Sequence, residues 1–257
     1  METFTLLSFG SAAMCLAYFF AGIIDASSGG GGLIILPVSL SVGFPTKFLM
    51  GTNQSATLFG AFTALAKYAK EKKIHWFSAW VTVPFAMIGA SLGAKLNLFI
   101  SEQTLKTIII ALIPVIAIIT LINKNFGAEN HIDELSRRRL VFNGVLIGLF
   151  MGAYQGFYGA GAGTFFMLAF AIADKLDLVT AAGNTKLCGL SANISATITY
   201  ALSGAVMWKL VFVAMFFNIA GNYIGASLSI KNGAKFIRPM YFAVLILLFA
   251  RLVFGLF

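Results

Sequence analysis

Asp25-Ala26-Ser27-Ser28-Gly29-Gly30-Gly31-Gly32, followed by Leu33-Ile34-Ile35-Leu36-Pro37, lies between two apolar segments where a membrane helix would otherwise run straight through. Four consecutive glycines work against a helix, since each costs about 1 kcal/mol relative to alanine in a helix interior. What they supply is exposed backbone N–H, access to positive φ, and close approach by a ligand or a second helix. The device returns as Gly156-Phe157-Tyr158-Gly159-Ala160-Gly161-Ala162-Gly163. A break made twice in one chain is where function is expected.

The rest of the chain is written for a membrane. Of 257 residues, 59% are hydrophobic and only 11% charged, and the mean hydropathy is +0.91. Runs of about 20 apolar residues recur, enough to cross a hydrocarbon core ~30 Å thick. Little is left over for a soluble domain. The net charge of +9 then reads as an orientation signal, because Lys and Arg collect in cytoplasmic loops; no nucleic-acid partner is expected. Cys15 and Cys188 lie in apolar segments and read as small buried hydrophobes. With no Lys or Arg before Lys47, the first segment reads as a permanent helix and not as a signal peptide.

Apolar segments run over 6–24, 33–43, 48–66, 77–94 and 105–122, then 140–158, 164–173, 178–203, 209–230 and 239–257. In each set of five the second is short. The polar interval from Asn123 to Arg139 reads as a cytoplasmic loop (124–139) joining repeats over 1–123 and 140–257. Those repeats are legible. A shift of 132 places Gly51 on Gly183, Tyr68 on Tyr200, Trp76 on Trp208, Gly89 on Gly221 and Gly93 on Gly225. A shift of 131 pairs Gly30 with Gly161 and Gly32 with Gly163. Many secondary transporters are built this way, with substrate held at the repeat interface by interrupted helices.

Charge arbitrates between topologies. If the short segments cross, ten helices place Lys and Arg in a 13 to 5 split between the two sides; if they do not, eight helices give 10 to 8. Only the first is a positive-inside pattern. The expectation is an all-α polytopic protein of the cell membrane, with inverted five-segment repeats and both termini outside. The alternative is eight full transmembrane helices in two parallel four-helix repeats. In the ten-segment reading the short segments are half-helices of about 15 Å, continued by backbone that protein or a watery cavity must line.

These residues resemble the sulfite exporter TauE/SafE family of membrane permeases. The mark is a glycine run, a few apolar residues and Pro, then a Gly-Thr dipeptide opening a later helix. Here it stands as Gly29–Gly32 through Pro37, with Gly51-Thr52-Asn53 downstream. The second copy departs from it, with Gly159-Ala160-Gly161-Ala162-Gly163, Leu168 in place of Pro, and Gly183-Asn184-Thr185. The resemblance covers the whole chain and implies secondary transport of small sulfur-containing or organic anions, such as sulfite, sulfonates or sulfoacetate.

The residues themselves point the same way. Helix N-termini offer free N–H groups and the positive end of a dipole to an anion. Breaks opening half-helices at Leu33 and Thr164 aim two such ends at one place if the repeats are inverted. Candidate substrate-binding residues are Ser27, Ser28, Gly29, Gly30, Gly31, Gly32, Thr52, Asn53 and Gln54 in the first half. Gln155, Tyr158, Gly159, Gly161, Gly163, Asn184, Thr185 and Lys186 are their counterparts in the second. Lys186 either meets the anion, holds a counter-charge, or snorkels to the boundary. Asp25 either accepts a proton coupled to transport or caps a helix end. Gly89/Gly93 and Gly221/Gly225 read as close helix packing, and Trp76, Trp80 and Trp208 as interfacial anchors. His75 and His131 read as solvated loop residues, and neither cofactor nor metal is expected.

Two rival classes remain in view. A passive anion channel could be built on the same repeats. An intramembrane enzyme finds no support: there is no His-Glu-x-x-His, no paired carboxylates in an apolar segment, and neither histidine is at membrane depth.

Overall fold

Long apolar runs punctuated by glycine and short polar loops fold as helices at every described position where they were expected. The computed structural model describes residues 9–99, 127 and 129–253. Over these it holds α1 (Phe9–Ser28), α2 (Gly32–Ser41), α3 (Thr46–Lys70), α4 (Trp76–Phe99), α5 (Arg137–Phe157), α6 (Ala162–Ala173), α7 (Leu178–Leu202), α8 (Trp208–Asn232) and α9 (Ala234–Val253). No strand occurs among the described residues. The segment expected over 105–122 lies outside them. The short second segments are α2, with 10 residues, and α6, with 12, or about 15 and 18 Å of helix.

The chain is turned inside out relative to a water-soluble protein. Its exposed side chains include Phe150, Phe212, Phe216, Trp80 and Leu202, whereas Asn184, Asn218, Asn222 and Thr164 are fully buried. Only a hydrocarbon surrounding favours that distribution. Helices α4, α5 and α8 are each long and apolar enough to cross a membrane. At 25 residues α3 and α7 are long enough too. Their hydropathy is diluted by Thr52-Asn53-Gln54-Ser55 and Asn184-Thr185-Lys186, which face inward.

Two helix pairs pack backbone to backbone. A Cβ on Gly221 or Gly225 of α8 would lie 2.0 or 2.3 Å from the α1 carbonyls of Phe19 and Ile23. A Cβ on Gly89 or Gly93 of α4 would lie 2.4 or 2.0 Å from the α5 carbonyls of Leu149 and Ala153. These glycines are packing glycines, as their four-residue spacing predicts. In each pair both partners advance together, so α1 runs parallel to α8, and α4 to α5.

Helices α3 and α7 meet at the centre and run in opposite directions. Gly51 abuts the Ala205 carbonyl, and Thr52 Oγ1 accepts the Met207 N–H at 2.9 Å, so the start of α3 lies beside the end of α7. Gly183 abuts the Lys73 carbonyl and Asn184 Oδ1 accepts the His75 N–H at 2.8 Å. That is the same pair of contacts 132 residues on. The loops consequently collect at two ends. Loops 71–75, 129–136 and 174–177 share one, joined by the His131 N–H to the Lys175 carbonyl at 2.9 Å and by the Lys175–Glu134 ion pair at 2.6 Å.

Matching hydroxyls close the last turns of α1 and α5. Tyr68 donates to the Ala26 carbonyl at 3.0 Å and Tyr200 to the Gly156 carbonyl at 2.9 Å, both fully enclosed. Tyr68→Phe and Tyr200→Phe are each expected to destabilise by about 1–3 kcal/mol, the cost of an orphaned buried acceptor. Thermal midpoints in detergent check this, and equal losses are expected because the two contacts are equivalent.

Candidate functional site

The site grows from the two glycine breaks. After α1, Gly29 takes φ +78° and turns its N–H back to the Ile24 and Asp25 carbonyls, the left-handed stop that glycine permits. After α5, Gly159 takes φ +75° and bonds back to Tyr154, and Gly161 at φ +77° opens α6. The breaks then cross in contact. A Cβ on Gly29 would lie 2.1 Å from the Gly163 carbonyl carbon, and one on Gly163 would lie 2.6 Å from the Gly29 Cα. Thr164 Oγ1 pins the crossing by donating to the Ser28 carbonyl at 2.7 Å.

Beside this crossing is a cavity of about 40 Å³. One water needs about 10–15 Å³, so the space suits a few waters or an ion of a few heavy atoms. From the breaks it is lined by Gly29, Gly31, Gly32, Gly159 and Gly163. Among the described residues no acceptor takes the N–H of Gly31, Gly32 or Gly163, and neither α2 nor α6 has a side-chain cap. The first turns of both half-helices thus bring free N–H groups and positive dipole ends to one space.

Polar side chains complete the lining: Asp25 from α1, Asn53, Gln54 and Thr57 from α3, Gln155 from α5, Thr185, Lys186 and Asn193 from α7, and Asn218 from α8. Lys186 is buried, eight residues or about 12 Å into α7. Its ammonium pairs with Asp25 Oδ2 at 2.9 Å and also donates to the Asp25 carbonyl. Burial removes the snorkelling alternative, and the counter-charge it holds is Asp25. Gln54 Nε2 makes the corresponding bond to the Gln155 carbonyl, while Gln155 Nε2 donates to the Gly189 carbonyl at 2.9 Å and to Asn193 Oδ1 at 2.6 Å. The Asn53 side-chain oxygen is buried with no partner among the described residues.

Several expected residues stand elsewhere. The Ser27 and Ser28 hydroxyls bond back to the Ile23 and Ile24 carbonyls of their own helix. Thr52 and Asn184 hold loop N–H groups, as described above. A Cβ on Gly30 would run into Val244 of α9, and Tyr158 is buried with its ring edge-on to Tyr154. Gly161 shapes the turn without lining the cavity. Thr57, Asn193 and Asn218 were not anticipated. For two of them the signal is periodic: Thr57 follows Asn53 by one helical turn, and Asn193 follows Lys186 by two.

The profile described as Sulfite exporter TauE/SafE matches residues 14–252. The chain belongs to the sulfite exporter TauE/SafE family. A "probable membrane transporter protein" of Haemophilus influenzae is 31% identical over 92% of this chain and 91% of its own length. A Sinorhizobium protein named "probable membrane transporter protein ORF9" is 33% identical over 97% and 93%. Escherichia coli "probable membrane transporter protein YfcA" is 28% identical over 99% and 95%. No solved structure matches. Relatives of this TauE/SafE chain are thus named as transporters and not as enzymes.

Away from the cavity, this TauE/SafE chain fully buries a carboxylate. Asp174 follows α6 and accepts from Ser78 of α4 and from Asn143 Nδ2 of α5, the latter at 2.9 Å. Burial pushes its carboxyl above the ordinary range, against the pull of those hydrogen bonds and of His75. His75 is half-buried and not solvated as expected. Burial lowers its ring below the ordinary imidazole value, partly offset by Asp174 and Asp133. His131 is exposed between Glu129 and Glu134. Among the described residues no cluster of side chains is suited to a metal.

Proposed function

We propose that this protein is a secondary transporter of small anions, sulfur oxyanions or organosulfonates in the first place, bound where the two glycine breaks cross. The observation that carries the reading is the convergence of the α2 and α6 first turns, with unaccepted N–H groups, on one small cavity that also holds Lys186. Two helix ends offer about half a positive charge each, enough together to offset one anion. The name of the family supports sulfite as one substrate. The test is saturable uptake into proteoliposomes of the purified chain, screened across sulfite, thiosulfate, sulfonates and short carboxylates. Carboxylates alone carried, or flux that never saturates, would defeat it.

The architecture we infer is a pair of inverted five-segment repeats in the cell membrane. Supporting it, α3 and α7 run in opposite directions, as ten crossings require; eight would align them. The contacts 132 apart and the gathering of loops 71–75, 129–136 and 174–177 support it too. In a variant without Cys15 and Cys188, Lys72→Cys and Asn130→Cys are expected to resist an impermeant thiol reagent on intact cells, and Ser203→Cys to react. Labelling at 72 or 130 would count against the inverted arrangement.

A further inference from the structure

The cavity is lined by equivalent positions from the two halves, and one equivalence differs in charge. Gln54 and Lys186, 132 residues apart, each donate to a main-chain carbonyl in the last turn before a break. In one half the residue owning that carbonyl is Gln155, a neutral amide held by Gly189 and Asn193. In the other it is Asp25, whose carboxylate faces the Lys186 ammonium at 2.9 Å. Among the described residues Asp25 and Lys186 are the charged side chains lining the cavity, and they cancel.

We propose that binding of an anion in this cavity is coupled to uptake of one proton by Asp25, a step that rests on reading the cavity as an anion site. With about 40 Å³ available, an anion anywhere inside lies a few ångströms from the Asp25 carboxylate, with little water between. A second negative charge in so small a site raises the proton affinity of the first, and one of the two takes a proton. A sulfonate is too weak a base to do so, and the proton therefore goes from solvent hydronium to Asp25. The protonated carboxyl no longer neutralises Lys186, and the ammonium turns its charge to the anion. One proton and one monoanion enter together, leaving the net charge of the site unchanged. The Gln155 amide is not basic enough to accept a proton, which fixes the stoichiometry at one.

The neighbours leave Asp25 as the acceptor. Lys186 of α7 donates to the Asp25 carboxylate, and Tyr68 of α3 spends its hydroxyl on the Ala26 carbonyl. Around the crossing α2, α6, α8 and α9 bring the uncharged Gly32, Gly163, Asn218 and Val244.

Calorimetry of methanesulfonate binding to the purified full-length chain tests this, at pH 6, 7 and 8 in buffers of differing protonation enthalpy. The expected result is one proton taken up per anion, with Kd rising about tenfold per pH unit, the slope of a single linked proton. Asp25→Asn is expected to take up none and to show the same Kd at all three pH values. That variant leaves Lys186 buried without its counter-charge, so Asp25→Gln with Lys186→Gln serves as a second, copying the amide pairing of the other half. It is expected to remain monodisperse, take up no proton, and bind at least tenfold more weakly at pH 6. Wild-type binding with no proton uptake, or proton uptake that survives Asp25→Asn, overturns the coupling while leaving the anion site standing. No saturable binding by the wild type overturns the anion-site reading, and the coupling with it.

Discussion

Gly163→Ala is expected to abolish transport, with a loss of roughly 100-fold or more, the scale on which displacements of about 1 Å count. The new methyl would sit 2.6 Å from the Gly29 Cα and 2.9 Å from the Gly29 carbonyl oxygen. Both are backbone atoms that cannot rotate away, so the breaks must part. Overpacking of this kind costs about 1–3 kcal/mol or more, and parting the breaks separates the first turns of α2 and α6. Gly29→Ala adds a left-handed φ, worth a further ~1–2 kcal/mol. Gly204→Ala is the control: its φ of +64° carries the same conformational cost, with nothing within 4 Å of the new methyl. Uptake into proteoliposomes separates them, and Gly163→Ala transporting as well as Gly204→Ala would refute the crossing as the site. Gly31→Val is expected to fail by a different route, since its Cβ would meet the Ala21 carbonyl at 2.8 Å and Asp25 Cβ at 2.9 Å, wedging α2 off α1.

The second large effect is at Lys186. Lys186→Met leaves the half-buried Asp25 carboxylate without its cation, and breaking such a pair from one side costs up to about 3–5 kcal/mol, the figure for a fully buried one. Lys186→Gln is expected to be milder in stability, because Gln54 shows an amide making the equivalent bond. Its cost falls on affinity. With Asp25 protonated, Lys186 and two helix ends supply about two positive charges, which matches a dianion; without Lys186 about one remains. A hydrogen bond to a charged group is worth about 1.5–3 kcal/mol, so sulfate binding is expected to fall ~100-fold and methanesulfonate binding ~10-fold. Titration of both anions checks this, and equal losses would show that the lysine does not face the substrate.

How much of this was legible depends on whether a residue's partner is local. Glycine runs announce themselves because nothing in a helix explains them, and apolar segment lengths give each described helix to within a few residues. Asn53, Gln54 and Lys186 stand out because polarity at membrane depth is costly. Ser27 and Ser28 stand out for the same reason, yet a serine can bond the carbonyl one turn back and so hide in its own helix. The Asp25–Lys186 pair joins residues 161 apart, and no periodicity within either helix reports it. Asp174 falls between two apolar segments, and its burial depends on Ser78 and Asn143, which come from two other helices.

The interleaving of α1 with α8 and α4 with α5 bears on how such a chain is made. At synthesis α3 enters the bilayer carrying Thr52 and Gln54 well before the Met207 N–H and the Gln155 carbonyl exist to pair with them. It is held meanwhile only by its apolar flank, and the charged residue at position 25 waits equally long for its lysine. The first half is therefore an incomplete object: ribosome-released fragments ending near residue 123 should be extracted and degraded, while the two halves produced as separate chains in one cell should protect each other. Quality control can thus inspect the assembled crossing instead of either half, since each half leaves some of its buried polar groups unsatisfied until the other has arrived.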